Sequence, residues 1–189
     1  LLTTFNPYKH LPIQVVLDKT WLQKYFKEEG RDAEFDVYKD SDKIIPWKIL
    51  VEFKGKQLEG CTYEQLLPYD ASSREKIQEI TPGAKPFRVM VDSFVTTEDG
   101  TGIVHTAPAF GADDYKVGKK YNIGILTLVD KQGKFVDSLG EFSNRYVKNY
   151  KDDPNYVDVN VNISVKLKLE NRAFKIEKYE QKYPHCWRT

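Results

Sequence analysis

The sequence predicts a β-rich α+β fold, a closed β-barrel core with flanking helices, and three observations point to it. Short β-prone segments bounded by turn residues recur along the chain, few stretches carry helical spacing, and these lie between the β segments as helices at the rim of a barrel do. At 189 residues the chain suffices for one domain with a real core, since about 70% of the unfolded surface is buried at this size. The nine prolines are dispersed and no repeat or low-complexity linker divides the chain, so residues 1–189 read as a single domain.

Residues 13–17 are a short apolar run consistent with a buried strand. Asp18 then stands as N-cap of a helix over residues 19–26, with Trp21, Leu22 and Tyr25 on one face. Residues 28–42 form a polar loop. Residues 47–53 and 57–63, separated by Gly55, read as two strands of a meander, and residues 70–85 are polar with a turn at Pro82 and Gly83. Residues 87–95 are the next strand, with Phe87, Val89 and Val91 on one side. A strand, turn and helix follow: residues 102–106 extended, 107–111 irregular around Pro108, 113–121 helical. Residues 125–129 return as a strand.

Residues 157–169 are apolar at every second position from Val157 to Leu169, which by periodicity alone argues for a strand. The run is long for one strand, and a helix could instead use Val159, Ile163 and Leu167, with Asn171 capping its C-terminus. Residues 174–183 read as a closing strand.

Basic and acidic residues nearly cancel, 29 against 28, so no overall positive field advertises nucleic acid and any RNA contact must be local. Two cysteines, Cys61 and Cys186, far apart in a chain without a secretory leader, fit a reducing cytoplasmic compartment rather than a disulfide framework. No apolar run approaches the ~20 residues needed to cross a bilayer, so no membrane contact is expected. The chain starts at Leu1 and stops at Thr189 without a polar tail, as expected of a fragment cut from a longer protein.

The chemistry concentrates in Gly100, Thr101, Gly102, Ile103, Val104, His105 and Thr106, followed by Ala107, Pro108, Ala109, Phe110, Gly111, Ala112, Asp113, Asp114 and Tyr115. Asp113 and Asp114 fall in the first turn of the predicted helix, where the macrodipole stabilises a carboxylate by ~0.3–1 kcal/mol; such acids are common there without any catalytic role. One of the two could instead project into a cleft and hold a substrate ammonium by a charge-assisted hydrogen bond. His105 ends an apolar strand, a place where a lone histidine is more often a satisfied core or rim residue than a catalyst. Gly100 and Gly102 permit close backbone approach by a ligand but lack the third glycine and βαβ setting of a dinucleotide site. His10, His105, His185 and the cysteines form no metal-ligand cluster, and the 184–187 run is at most half a site. The chain has no Gly-x-Ser-x-Gly elbow, P-loop or Cys-His nucleophile pair, which argues against covalent catalysis.

The whole stretch from Gly100 to Tyr115 resembles the signature of the editing (connective peptide 1) domain of the class I aminoacyl-tRNA synthetases for branched aliphatic amino acids. Within that group it is similar to the isoleucine enzymes, because the valine and leucine enzymes carry other residues where His105 stands. Tyr183, Pro184, His185, Cys186, Trp187 and Arg188 resemble the strand by which the isoleucine enzymes' insertion returns to the catalytic core, and residues 3–17 are similar to another part of that insertion.

The resemblance implies hydrolysis of mischarged Val-tRNA(Ile) by a positioned water. Asp114 would bind the α-ammonium and His105 would size the side chain. Gly100, Thr101, Gly102 and Ile103 would form the adjoining wall, with Thr106 and Asp113 also in the substrate site. It implies no cofactor for this domain, ATP and Mg²⁺ being used by the parent enzyme. The partners would be the valine-carrying 3′ end of tRNA(Ile) and the parent's catalytic core, and the protein would be a monomer.

Two departures stand against this pattern. Leu1-Leu2-Thr3-Thr4 does not match the family's threonine-rich segment that faces the motif, so half of the pocket is expected outside this chain and the fragment alone is expected to be weakly active or inactive. Thr189 stands where some members have the last cysteine of a Cys-Trp-Arg-Cys zinc site, which makes zinc doubtful. The family pattern also favours a helix near residues 159–171. The alternatives are a non-catalytic module that binds tRNA or docks a partner domain, and an editing domain of a valine or leucine enzyme.

Overall fold

The computed structural model describes residues 1–67, 73–98, 100–149 and 151–178. Its sheet is three-stranded and antiparallel, in the order β2-β1-β3, from β1 (Leu2–Phe5), β2 (Pro12–Val15) and β3 (Trp47–Ile49). β1 lies in the middle, with Leu2 opposite Val15 on one side and Ile49 on the other. Its alternation places Leu2 and Thr4 inward, and the buried Thr4 hydroxyl is satisfied by donating to Pro46 O at 2.8 Å. The hairpin loop is organised by fully buried Asn6. Its Oδ1 accepts from Tyr8 N–H at 2.8 Å and Lys9 N–H at 3.3 Å, while Nδ2 donates to Ala173 O at 2.9 Å.

Leu2, Trp47 and Phe26 form the core behind this sheet, joined by Val15, Leu17, Leu22, Tyr25, Ile49 and Phe174. Burial of side chains of this size contributes about 1.5–3 kcal/mol each. Trp47 keeps its polar edge satisfied by donating Nε1–H to Lys27 O at 2.7 Å, and Phe26 stacks on Phe174 at 5.3 Å.

The helices α1 (Leu22–Tyr25), α2 (Ser73–Ile80), α3 (Ala112–Lys120) and α4 (Val159–Leu169) complete an α+β architecture. Asp18 caps as expected: its carboxylate accepts from Thr20 N–H and starts a 3₁₀ turn, Lys19–Trp21, that runs into α1. α4 settles the ambiguity of residues 157–169 in favour of the helix. Asp158 accepts from Asn160 N–H at 2.8 Å at one end. At the other, Asn171 adopts φ +59° while Asn171 and Arg172 N–H donate to Lys168 and Leu167 O, a Schellman closure. Its Val159 and Ile163 pack on a second core containing Leu139 and Phe142, whereas Val161, Val165 and Leu169 are exposed.

The closed barrel is not what the described residues form: the sheet is open. Residues 57–63 and 87–95 do meet, through Gly60 N–H to Val89 O, Val89 N–H to Cys61 O and Tyr63 N–H to Phe87 O, but only Thr62 and Arg88 form a bridge. The pairing is cut short because Gly55–Leu58 winds into a 3₁₀ turn and Phe87 takes φ +55°, which a strand cannot accommodate. β3 likewise ends at Ile49 rather than at residue 53. Residues 125–129 pair through the single bridge from Val129 to Phe135, and residues 102–106 carry no strand. Residues 13–17 contribute a half-exposed edge strand, not a buried one, because β2 has a neighbour on one side only. The polar stretch 70–85 contains α2, followed by the expected turn at Pro82 and Gly83. No strand includes residues 174–178, and the remainder of that expected closing strand lies outside the described residues. Among the described residues no helix is long and apolar enough to cross a membrane.

Candidate functional site

The motif is held at both ends by the rest of the fold. Upstream, Asp18 N–H donates to Thr101 O at 2.8 Å, and Thr101 Oγ1 donates to Ile103 O at 3.2 Å. Gly100 and Gly102 adopt φ +74° and +76°, the left-handed region in which glycine carries no Cβ penalty. Gly102 also lies so close to Asp18 that a Cβ there would sit 2.7 Å from Asp18 Cβ. Downstream, Pro108 packs on α3, where a Cβ at Gly118 would come within 2.8 Å of Pro108 Cγ. Val117 is buried beside this contact.

Between these anchors the backbone turns at Ala107, whose O accepts from Phe110 N–H at 2.9 Å, and α3 starts from Gly111 as N-cap. Asp114, on the third helical residue, reaches back so that Oδ2 accepts from Ala107 N–H at 3.1 Å. Asp113 points elsewhere and pairs with Lys116 at 3.0 Å. The two acids are therefore distinguished by structure, one turned toward the motif and one along the helix. His105 is exposed and Thr106 half-buried; no hydrogen bond joins His105 to either acid among the described residues. At the far end of α3, Lys120 pairs with Asp92 at 2.9 Å, which lowers the Asp92 pKa and raises that of Lys120.

Gly102 and Ile103 also close one end of a cleft of about 220 Å³ whose other walls come from Leu1 and Leu2, residues 16–19, Leu22, and Ile49, residues 51–53, Gly55 and Leu58. Among the described residues no group of three His, Cys, Asp or Glu side chains gathers as for a metal. The stretch 183–189, with the doubtful zinc motif, lies outside the described residues, and so do Cys186 and His185. Cys61 is exposed and free.

No protein-family model matches the chain. Curated relatives do. Isoleucine–tRNA ligase of Cytophaga hutchinsonii is 48% identical over 100% of this chain and 18% of its own length. The ligase of Bacteroides fragilis is 39% identical over 98% of the chain and 18% of its length, and that of Clostridium tetani 41% over 94% and 16%. The chain belongs to the isoleucine–tRNA ligase family. It spans under a fifth of the length of these ligases.

The ligase motif was legible in the sequence as a run, and the structure brings together parts of it that the run alone does not. Asp114 meets Ala107, Gly102 meets Asp18, and Ile103 joins the cleft wall. Sequence reasoning took Asp18 only as a helix cap and did not single out Leu58 or Ile49. Their proximity to the ligase motif is a long-range contact for which no local pattern gives a signal.

Proposed function

We propose that this chain is the editing domain of an isoleucine–tRNA ligase and hydrolyses the ester of Val-tRNA(Ile) after transfer. The reading is carried by Asp114 bonded to the turn just after His105, within a segment whose relatives are isoleucine–tRNA ligases. A ligase for isoleucine meets valine, one methylene smaller, and a hydrophobic pocket rejects it by only about 1–3 kcal/mol, a limit for which the isoleucine enzymes are themselves the standard example. A second site that admits only the smaller product is the physical remedy.

In this reading one Asp114 oxygen keeps the Ala107 bond and the other receives the α-ammonium of the mischarged residue. His105 limits the size of the side chain, so that valine enters and isoleucine clashes. Gly100, Thr101, Gly102, Ile103 and Thr106 form the wall, with Asp113 as an outer charge. No protein nucleophile is needed, because an aminoacyl ester beside an ammonium is already activated and an oriented water suffices. The domain uses no cofactor. Its partners are the valine-bearing 3′ end of tRNA(Ile) and the catalytic core of the ligase, and it works as a monomer in the cytoplasm.

The test is deacylation of Val-tRNA(Ile), by the chain and by the complete ligase that contains it. Hydrolysis faster than in buffer is expected. Asp114→Ala should return it to the buffer rate, and His105→Ala should make Ile-tRNA(Ile) a substrate. Intact Val-tRNA(Ile) in both preparations refutes the proposal. A purely structural role for this helix start is favoured by one observation, that Asp113 pairs with Lys116 at i,i+3 as acids in a helical first turn commonly do. Under that reading Asp114→Ala lowers stability and leaves hydrolysis unchanged.

A further inference from the structure

Helix α4 carries two apolar faces, and only one is packed against the described residues. Val159 and Ile163 lie on the core of Leu139 and Phe142. Val161, Val165 and Leu169 follow one another at intervals of four on the other side of the helix and are 57%, 47% and 66% exposed. Val157, just ahead of the Asp158 cap, is exposed too. Solitary exposed aliphatic side chains are ordinary, but a row of them along one helix marks an interaction surface.

Beside this row runs a groove of about 400 Å³ with apolar walls from Phe142, Val165 and Leu169. Its charged residues are two acids, Glu141 and Glu170, and two bases, Arg145 and Lys166, which cancel. All four are engaged within the chain: Lys166 Nζ pairs with Glu170 at 2.8 Å and Glu141 at 3.4 Å, and Arg145 donates to Val157 O at 3.0 Å and Asn162 Oδ1 at 2.7 Å. A groove without surplus positive charge does not suit a phosphate backbone or an anionic membrane, since both draw on clustered Lys and Arg. An apolar centre with a compensated polar rim is the anatomy of a protein interface. Size then decides which protein. A stable interface between separate molecules takes about 20–30 residues a side, far more than this row and its groove supply, so a second copy of the chain is not the occupant. A tethered neighbour needs much less contact, because a short linker sets its effective concentration near ~1 mM. The chain spans under a fifth of the length of the ligases it matches, and the rest of such a polypeptide supplies that neighbour.

We propose that the outer face of α4, formed by Val161, Val165 and Leu169 with the adjoining groove, is the seat on which an apolar surface from the rest of the ligase polypeptide packs. The inference rests on membership of the ligase family and not on the editing reading. No residue of the run from Gly100 to Tyr115 lines the groove, so the contact holds the domain without occupying the candidate site.

The experiment is hydroxyl-radical footprinting of this chain and of the complete ligase that contains it, both without tRNA, reading side-chain oxidation at Val161, Val165 and Leu169. Oxidation should fall about fivefold or more in the ligase, where the covered side chains are shut off from water. Val161→Glu and Leu169→Lys place charges on this face with the signs that the helix macrodipole favours, so the chain should keep its unfolding midpoint. In the complete ligase each should return oxidation of Val165 to the level seen in the chain. Equal oxidation in chain and ligase, or protection that survives both variants, overturns the proposal. So does protection of the ligase that appears only when tRNA is added, which assigns the face to nucleic acid. Protection of the chain alone that grows with its concentration overturns it as well and assigns the face to a second copy. Hydrolysis of Val-tRNA(Ile) is not measured, so the seat on α4 and the editing reading stand or fall separately.

Discussion

Alanine at Gly100 and at Gly102 should have unequal costs, and the difference isolates one contact. Both residues have nearly the same left-handed backbone, φ +74° and +76°, so each alanine incurs about 1–2 kcal/mol of backbone strain. Around them the space differs. A Cβ at Gly100 meets nothing within 4 Å among the described residues, whereas one at Gly102 lies 2.7 Å from Asp18 Cβ and 3.7 Å from Asp18 Cα. Asp18 cannot retreat freely, because its N–H holds Thr101 O at 2.8 Å and its carboxylate caps the 3₁₀ turn. Overpacking against such a neighbour costs about 1–3 kcal/mol. Gly100→Ala should therefore destabilise by about 1–2 kcal/mol and Gly102→Ala by about 2–5 kcal/mol.

Adding Asp18→Gly to Gly102→Ala removes the atom that is struck. It should recover the packing part while the backbone part remains, since glycine at an N-cap costs only a few tenths of a kcal/mol. Urea unfolding of the four variants, followed by the fluorescence of Trp21 and Trp47, measures the coupling. Equal costs at the two glycines, or additive behaviour in the double variant, would refute the claim that Asp18 and the motif are packed as one unit.

Two further outcomes follow from local geometry. Asn171→Gly should raise stability by about 0.5–1 kcal/mol, because it relieves φ +59° and removes a buried Oδ1 that has no hydrogen-bond partner among the described residues; a lowered melting temperature would contradict this. For acid stability, the Asp18 pKa is lowered in the folded state from 3.8 by the Thr20 side-chain and backbone hydrogen bonds. Its contribution is therefore complete above the unfolded value and lost as pH falls through the lower folded one. The stability gap between wild type and Asp18→Asn should narrow below about pH 4, and a gap that stays constant through acid titration shows that Asp18 is not linked to folding.

Much of the local structure was written in short-range chemistry. Asp18, Asp158 and Asn171 mark helix ends through bonds to residues two or three positions away, and the Asp113–Lys116 pair at the start of α3 follows the same logic. Residues 157–169 were ambiguous because apolar side chains at every second position suit a strand and also wrap around a helix. The caps and the packing of Val159 and Ile163 on Leu139 and Phe142 decided the matter. α2 was missed because only Ile77 and Ile80 are apolar in it, and of these Ile77 is buried while Ile80 is exposed. The strands expected at residues 57–63, 87–95 and 125–129 were over-read, since β-prone side chains become a strand only when a partner in register is available.

The sequence by itself determined the family, the motif from Gly100 to Tyr115 and the residue types on which the proposed chemistry depends, because these are properties of residue identity and spacing. Tertiary structure alone decided that the sheet stays open and that Asp18 shares a cleft with Gly102 and Ile103. The physical reason is separation along the chain. Caps and turns are chosen by neighbours, but which distant backbone meets a glycine is set by how the hairpin and the motif loop pack together.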